Sequence, residues 1–320
     1  MKVKDIKNIG LVGGGLIGAS FALAFSLGGL NAHIYTRSKE TLDASEEIIK
    51  NSLDELIKLG VKKEDEKDEI LKRISYTNNL EEAIKDADYI QESLKEDYDI
   101  KRKVLADVEK IISPEIPIGS STSGLKATEI ARDMKHPERF FVAHPWNPPH
   151  LIPLIELCKG EKTDDKYIYL AKELFEKIKK TPIILEKEVL GFVGNRIQAA
   201  VFREVLSLVL NGVVSMEDAD KAVTFGPGIR WGIMGPSLIL ELGGGSEGIA
   251  GFMKNIGPSM ELWLEDLADW DKLPISPEEI GEITAQELRN RDEKLGNNRK
   301  SLGEYRTKML VEFLKLHGKI

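Results

Sequence analysis

The run Gly13-Gly14-Gly15-Leu16-Ile17-Gly18 has the G-x-G-x-x-G spacing of a dinucleotide-binding turn. It directly follows the apolar stretch Asn8–Val12 and opens the helix-like stretch Leu16–Leu27, the setting in which that spacing has meaning. The first glycine permits a tight turn, the second lets backbone approach a pyrophosphate, and the third lets the helix pack closely. Free N–H groups and the dipole at the helix start then favour an anion. Two other residues suit proton transfer. His144 follows the apolar run RFFVA, and a neutral imidazole titrates near neutral pH. Glu156 lies twelve residues on within LIPLIELC, where a carboxylate is costly to bury without a partner.

The residue that reads an adenosine ribose is expected at the end of the second strand. There AHIY runs into Thr36-Arg37-Ser38-Lys39, with no carboxylate before Glu40. An acid would accept from a ribose 2′-hydroxyl and repel a 2′-phosphate, whereas Thr36, Arg37 and Ser38 can donate to that phosphate. The pattern therefore leans to NADP(H), with Arg37 pairing with the phosphate or stacking on adenine. The competing reading is a water-bound ribose beside a solvated Arg37.

These groups need a frame. Apolar runs at Asn8–Val12, Ala32–Tyr35, Arg73–Tyr76, Tyr89–Gln91, Ile116–Gly119, Phe140–Ala143, Ile155–Cys158 and Pro182–Leu185 read as strands. Between them, Leu16–Leu27, Lys39–Leu59, Leu80–Ala87, Asp97–Ile112, Ala127–Met134 and Asp165–Lys179 have helical spacing. The alternation predicts an α/β fold, a Rossmann-type doubly wound sheet of parallel strands. The charged stretch KKEDEKDE belongs to a helical hairpin turning near Gly60. After Glu188 strand-like runs cease, so a dinucleotide-binding domain over 1–188 and an all-helical C-terminal domain over 189–320 are expected. Helices are expected there at Gly191–Leu210, Ser215–Val223, Ser246–Ile256 and Pro277–Leu316, with Ser215 and Ser276 as caps. Gly243-Gly244-Gly245 follows no strand and reads as a loop.

Composition narrows the function classes. The 320 residues carry 45 Lys+Arg against 53 Asp+Glu, a net charge of −8, which argues against a nucleic-acid binder. A single Cys leaves no internal disulfide and no Cys-based zinc site, and no metal is expected. The uncharged stretch Ile9–Leu30 is long enough for a membrane span, but its glycines fit a strand, a turn and a helix better. The chain reads as a reduced, cytoplasmic, soluble protein.

Five more segments carry a resemblance: Gln91-Glu92-Ser93-Leu94-Lys95-Glu96 with Lys101, Ser120-Ser121-Thr122-Ser123, His144-Pro145-Trp146-Asn147-Pro148-Pro149, Ile155-Glu156-Leu157, and Gly191-Phe192-Val193-Gly194-Asn195-Arg196. With the glycine turn, they resemble the L-3-hydroxyacyl-CoA dehydrogenase family over nearly the whole chain. The resemblance implies NAD as the usual cofactor, held by Gly13, Gly15, Leu16, Ile17 and Gly18, and a homodimer formed largely through the helical domain. It makes His144 the base that takes a proton from a substrate hydroxyl as hydride leaves, and Glu156 the carboxylate that orients it. Ser123 and Asn195 match the polar pair that bonds the reacting oxygen. Asn147 matches a position lining the same site and is counted with the cofactor contacts. Glu96 and Lys101 match residues near the nicotinamide ribose. Residue by residue, Ser123 also suits the cap of a helix beginning near Lys126, and Asn195 a helix start.

The stretch AHPWNPPHLIPLIEL is more similar to the branch acting on free hydroxy acids, which includes L-gulonate 3-dehydrogenase, lambda-crystallin and L-carnitine dehydrogenase. The segment Gly226–Pro236 agrees, and Arg230 within it suits a substrate carboxylate, or equally a helix end. The implied activity is oxidation of a small 3-hydroxy acid to a 3-keto acid. The alternatives are a short-chain 3-hydroxyacyl-CoA dehydrogenase, with Lys58, Lys62 and Lys63 near CoA phosphates, and a non-catalytic nucleotide-binding or structural protein.

Overall fold

In the computed structural model, which describes residues 2–320, eight strands form one sheet in the order β3-β2-β1-β4-β5-β6-β7-β8. They are β1 (Asn8–Val12), β2 (Asn31–Tyr35), β3 (Ile74–Thr77), β4 (Tyr89–Glu92), β5 (Ile118–Ser120), β6 (Phe140–Pro145), β7 (Leu154–Lys159) and β8 (Thr181–Leu185). Each lies where an apolar run predicts it. The all-parallel expectation fails at one pair: β6 and β7 run antiparallel, while every other neighbouring pair is parallel. The connection between β6 and β7 is too short for a crossover helix, and only antiparallel strands can be joined that way.

Helices cover both faces. On one lie α1 (Leu16–Leu27), α2 (Lys39–Lys58), α3 (Lys67–Lys72) and α7 (Asp165–Lys177); on the other lie α4 (Leu80–Ile84), α5 (Tyr98–Ile111) and α6 (Ala127–Ile130). The period of two divides the strands between these layers: Phe141 and Ala143 of β6 join the first core, Phe140 and Val142 the second. Phe21, Phe25, Tyr89 and Phe175 cluster in the first core with ring centroids 5.6–6.2 Å apart. The expected hairpin turn near Gly60 occurs there, with φ +70. The uncharged stretch Ile9–Leu30 is divided between β1, the glycine turn and α1, and among the described residues no helix is long and apolar enough to cross a membrane.

The chain divides into two compact units, Met1–Asn195 with Arg306–Ile320, and Arg196–Tyr305. The division differs from the expected 1–188 and 189–320 split because the end of the chain returns to the first unit. There Val311 and Leu314 bury against Leu56 and Leu151. Helix α8 (Gly194–Leu210) is followed by α9 (Met216–Val223), α10 (Ile229–Ile233), α11 (Pro236–Gly243), α12 (Gly248–Asp266), α13 (Pro277–Glu287) and α14 (Arg299–Leu316). The predicted caps form, Ser215 Oγ accepting from Asp218 N and Ser276 Oγ from Glu279 N, each at 3.1 Å. The single helix expected over Pro277–Leu316 is broken between α13 and α14, where Gly296 takes φ +93. Helix α11 was not anticipated, although Pro236 at its first position is a recognised start signal. The run Gly243-Gly244-Gly245 is only partly the expected loop: Gly243 closes α11, Gly244 caps it, and Gly245, at φ +60, opens a single 3-10 turn before α12.

Candidate active site

The glycine turn joins β1 to α1. Gly13 has φ +114, and a Cβ there would stand 2.5 Å from the Ser93 carbonyl oxygen. Gly15 caps α1, and a Cβ on it would meet nothing within 4 Å, so its outer side is open. Gly18 is needed by the turn itself, since its Cβ would fall 1.9 Å from the Gly13 carbonyl oxygen. Gly14, given no separate role by the motif, packs against Thr36 and Ser45. Leu16 is half exposed and Ile17 partly buried in the first turn. An open backbone surface backed by the first N–H groups of α1 fits a dinucleotide pyrophosphate.

At the end of β2, Thr36 is buried and its hydroxyl donates to the Ser38 carbonyl at 2.8 Å. Ser38 Oγ caps α2, accepting from Thr41 N at 3.2 Å. The Thr36 proton is thus spent within its own loop, while Ser38 serves there as an acceptor and keeps its hydroxyl proton. Arg37 is exposed and has no partner among the described residues.

Beside the turn lies an ionic centre. Glu92, at the end of β4, is fully buried and accepts from Lys101 Nζ at 2.7 Å, Leu94 N at 2.6 Å and Ser120 Oγ at 2.5 Å. Lys101, on α5, is equally buried. Its ammonium is spent on Glu92 and the Leu94 carbonyl, so it holds this corner together rather than presenting a free cation. Glu92 has no role in the motif reading, yet an acid closing the apolar strand YIQE is the same kind of signal as Glu156. Glu96 Oε1 accepts from Thr122 Oγ1 at 2.6 Å, Ser123 N at 2.9 Å and Gly124 N at 3.1 Å, fixing the loop after β5.

His144 and Glu156 face each other directly across the antiparallel β6–β7 pair. The His144 ring Nδ1 lies 2.8 Å from Glu156 Oε2. That carboxylate is wholly buried and takes three more bonds, from Trp146 Nε1 at 3.2 Å, Val193 N at 2.8 Å and Gly194 N at 3.0 Å. Burial alone would push the Glu156 carboxyl up, but His144, Gly194, Val193 and Trp146 together outweigh it and hold it below the usual range. An ionised Glu156 makes Nδ1 the donor, which leaves Nε2, with no protein partner among the described residues, free to accept a proton. The imidazole is clamped by two rings, Phe192 with centroids 5.3 Å away and Trp146 at 6.3 Å. Phe192 is buried and holds φ +51, a rare conformation for a non-glycine residue. This turn brings Val193 N and Gly194 N, at the start of α8, onto Glu156.

Asn195 is the next residue of α8, and its Nδ2 donates to the Ser123 carbonyl at 3.1 Å. Ser123 is exposed, and its hydroxyl has no partner among the described residues. It caps no helix: α6 begins after Lys126, which makes no side-chain cap bond. Asn147 is exposed in the loop after β6. Arg230 is exposed on α10, in the second unit, and has no partner among the described residues. Cys158 is buried in β7, and burial, with the nearby Glu188 and Glu156, pushes its thiol up to about 12.

Residues 8–189 match the 3-hydroxyacyl-CoA dehydrogenase NAD binding domain, and residues 191–279 the C-terminal domain of the same family. The chain belongs to the 3-hydroxyacyl-CoA dehydrogenase family. It is accordingly an NAD-dependent dehydrogenase that acts on a 3-hydroxyl group. It is 34% identical to L-carnitine dehydrogenase from Oceanobacillus iheyensis over 313 residues, 97% of this chain and 98% of that one. Among solved structures it is similar to 5-formyl-3-hydroxy-2-methylpyridine 4-carboxylic acid 5-dehydrogenase, with TM-score 0.79 and 25% identity over 98% of this chain and 97% of that one. The (S)-3-hydroxybutyryl-CoA dehydrogenase of Ralstonia eutropha gives TM-score 0.65 and 30% identity over 70% of this chain and 78% of that one.

The Glu92–Lys101 pair makes a thermodynamic prediction. Lys101→Met strands a buried carboxylate and is expected to cost about 3–5 kcal/mol of folding stability, much of it recovered by adding Glu92→Gln. Urea unfolding of the two variants checks this. A Lys101→Met protein of unchanged stability that loses only cofactor affinity would contradict it.

Proposed function

We propose that the protein oxidises the 3-hydroxyl of a small free 3-hydroxy acid to the 3-keto acid, with His144 as the base. The observation that carries this is the buried Glu156 carboxylate on Nδ1, which leaves Nε2 as the proton acceptor. NAD(P), when bound, takes up the hydride. His144 Nε2 receives the hydroxyl proton, and Glu156 both fixes the ring and stabilises the imidazolium that forms. The Ser123 hydroxyl and the Asn195 amide donate to the reacting oxygen, with Asn195 held at its place by the Ser123 carbonyl. Asn147, Glu96 and the turn residues Gly13 to Gly18 shape the cofactor's seat. Lys101 acts there through Glu92.

The free-acid reading is supported by the near full-length matches to L-carnitine dehydrogenases, 34% identical over 97% and 99% of this chain. Arg230 is the residue assigned to the substrate carboxylate. The test is nicotinamide absorbance with L-carnitine, L-gulonate, 3-hydroxybutyrate and 3-hydroxybutyryl-CoA. Turnover of at least one free acid is expected; activity confined to the CoA ester overturns the reading. His144→Ala should lower kcat by at least about a thousandfold, with cofactor Kd by fluorescence titration nearly unchanged. An equal loss of cofactor binding would remove His144 from the base role.

The cofactor's finer preference rests on Arg37. With no acid at the end of β2 and an unpaired guanidinium, the loop accepts a 2′-phosphate, and NADP(H) is the favoured form. Arg37→Ala should lower kcat/KM with NADP+ about tenfold, one charge-assisted contact, and with NAD+ much less. Equal losses would show that Arg37 reads no phosphate.

The working unit is a homodimer formed by the second unit. That segment has a small core of its own, centred on Leu206, Met216 and Ile280. It leaves Phe225 73%, Leu242 69%, Leu262 66% and Trp263 58% exposed in a single chain. So much apolar surface calls for a partner, and a second copy satisfies the symmetry. Light scattering behind size exclusion should give twice 35.7 kDa, and a monomer at micromolar concentration would refute this. The cofactor and the single buried thiol support a cytoplasmic setting.

A further inference from the structure

The two oxygens of Glu156 are loaded by different kinds of donor. Oε1 takes the main-chain N–H groups of Val193 and Gly194, at 2.8 and 3.0 Å. Oε2 takes two side chains, His144 Nδ1 at 2.8 Å and Trp146 Nε1 at 3.2 Å. The indole N–H therefore shares one oxygen with the imidazole. A phenyl ring would fill much of the same space but has no N–H to offer.

The indole is held where it is. A Cβ on Gly194 would stand 2.9 Å from Trp146 Cε2 and 3.1 Å from Nε1, so the glycine that opens α8 makes room for this ring. On its other side the indole stands at 61° to the imidazole, with centroids 6.3 Å apart. Trp146 is only partly buried, yet its one polar atom is turned to the buried carboxylate.

We propose that Trp146 is a positioning residue whose N–H, acting through Glu156, sets how readily the His144 ring takes up a proton. A carboxylate facing an imidazole favours imidazolium, the form that cannot accept a proton. Each N–H donated to the carboxylate spreads its charge and weakens that preference. The main-chain pair does this on Oε1, and Trp146 does it on the atom that His144 contacts. The consequence for catalysis, activity extended toward lower pH, rests on the reading of His144 as the base.

The ionisable groups packed around this face are engaged elsewhere or neutral. Cys158 lies two residues beyond Glu156 on β7, and burial, then Glu188 and Glu156, push its thiol up to about 12. Glu188 accepts from Thr128 N at 2.9 Å, and Glu129 of α6 pairs with Arg102 at 3.4 Å. Glu96 is taken up by Thr122, Ser123 and Gly124. The neighbouring strands β5 and β8 carry no ionisable side chain.

The test compares the NAD+-saturated unaltered protein with Trp146→Phe and with a protein carrying 3-benzothienylalanine at position 146, which keeps the fused rings and has sulfur in place of the N–H. The carbon-13 signal of the His144 ring, assigned by its loss in His144→Asn, is titrated in each. Its midpoint should rise by about half a pH unit or more in both altered proteins. The acid limb of kcat/KM should move to higher pH by the same amount, measured with whichever of the four substrates above turns over fastest. Where the smaller Phe ring loosens the fold, seen as a lowered Tm, the isosteric protein decides. An unmoved midpoint in both proteins would overturn the proposal, and so would a rise in Trp146→Phe alone, which would assign the effect to packing. A midpoint that rises while the limb stays fixed would uphold the hold of Trp146 on the imidazole and overturn the base role of His144 instead.

Discussion

One buried carboxylate organises the catalytic side of this protein. Glu156 has four donors on two oxygens, and they come from two separate stretches: the imidazole of His144 and the indole of Trp146 at the end of β6, and two main-chain N–H groups at the start of α8. An unpaired carboxylate at that depth would be severely destabilising, so each donor is held as firmly as the charge demands it. The bond that orients the imidazole thus shares its acceptor with the bonds that seat α8, on which Asn195 is carried. The proposed base and the proposed donor to the reacting oxygen are set by the same ion.

The antiparallel β6–β7 pair makes this possible. A parallel partner would enter the sheet from the opposite end after a crossover helix, and a residue twelve positions on could not return to face His144. The short return instead places Glu156 opposite it, on the same side of the sheet. A second buried ion, Glu92, does related work across the nucleotide edge, where Lys101, Ser120 and the Leu94 N–H converge on it. Around both centres the supporting groups are fully satisfied. Among the described residues His144 Nε2 and the Ser123 hydroxyl are left without partners, and these are the atoms the proposed chemistry needs. A rigid, saturated frame with a few free polar atoms is what transition-state stabilisation requires.

Much of this was legible in the chain. All eight strands coincide with apolar runs, the glycine turn, His144 and Glu156 stand out by type and context, and the family resemblance marks Ser123 and Asn195. Misreadings came where a local pattern has two continuations. Helical spacing runs through Pro277–Leu316, yet the chain breaks before Arg299, because Gly296 at φ +93 ends one helix and contacts distant in sequence decide the next. The resemblance puts Lys101 near the nicotinamide ribose, and only burial against Glu92 shows where its charge is spent. Thr36 reads as a phosphate donor, but its hydroxyl proton goes to the Ser38 carbonyl in its own loop.

By itself the sequence determined which segments become the eight strands and most of the helices, and which residues have the chemistry to bind a nucleotide and move a proton. Those depend on periodicity, turn residues and side-chain type, all of which act over a few neighbouring positions. Tertiary structure alone decided that β7 runs back along β6, that Phe192 clamps the imidazole, that Lys101 is bound to Glu92, and that Val311 and Leu314 return to Leu56 and Leu151. The physical reason is shared by all four. Each is a choice of partner between groups far apart in the chain, made by burial, and a linear pattern marks a group as needing a partner without naming it.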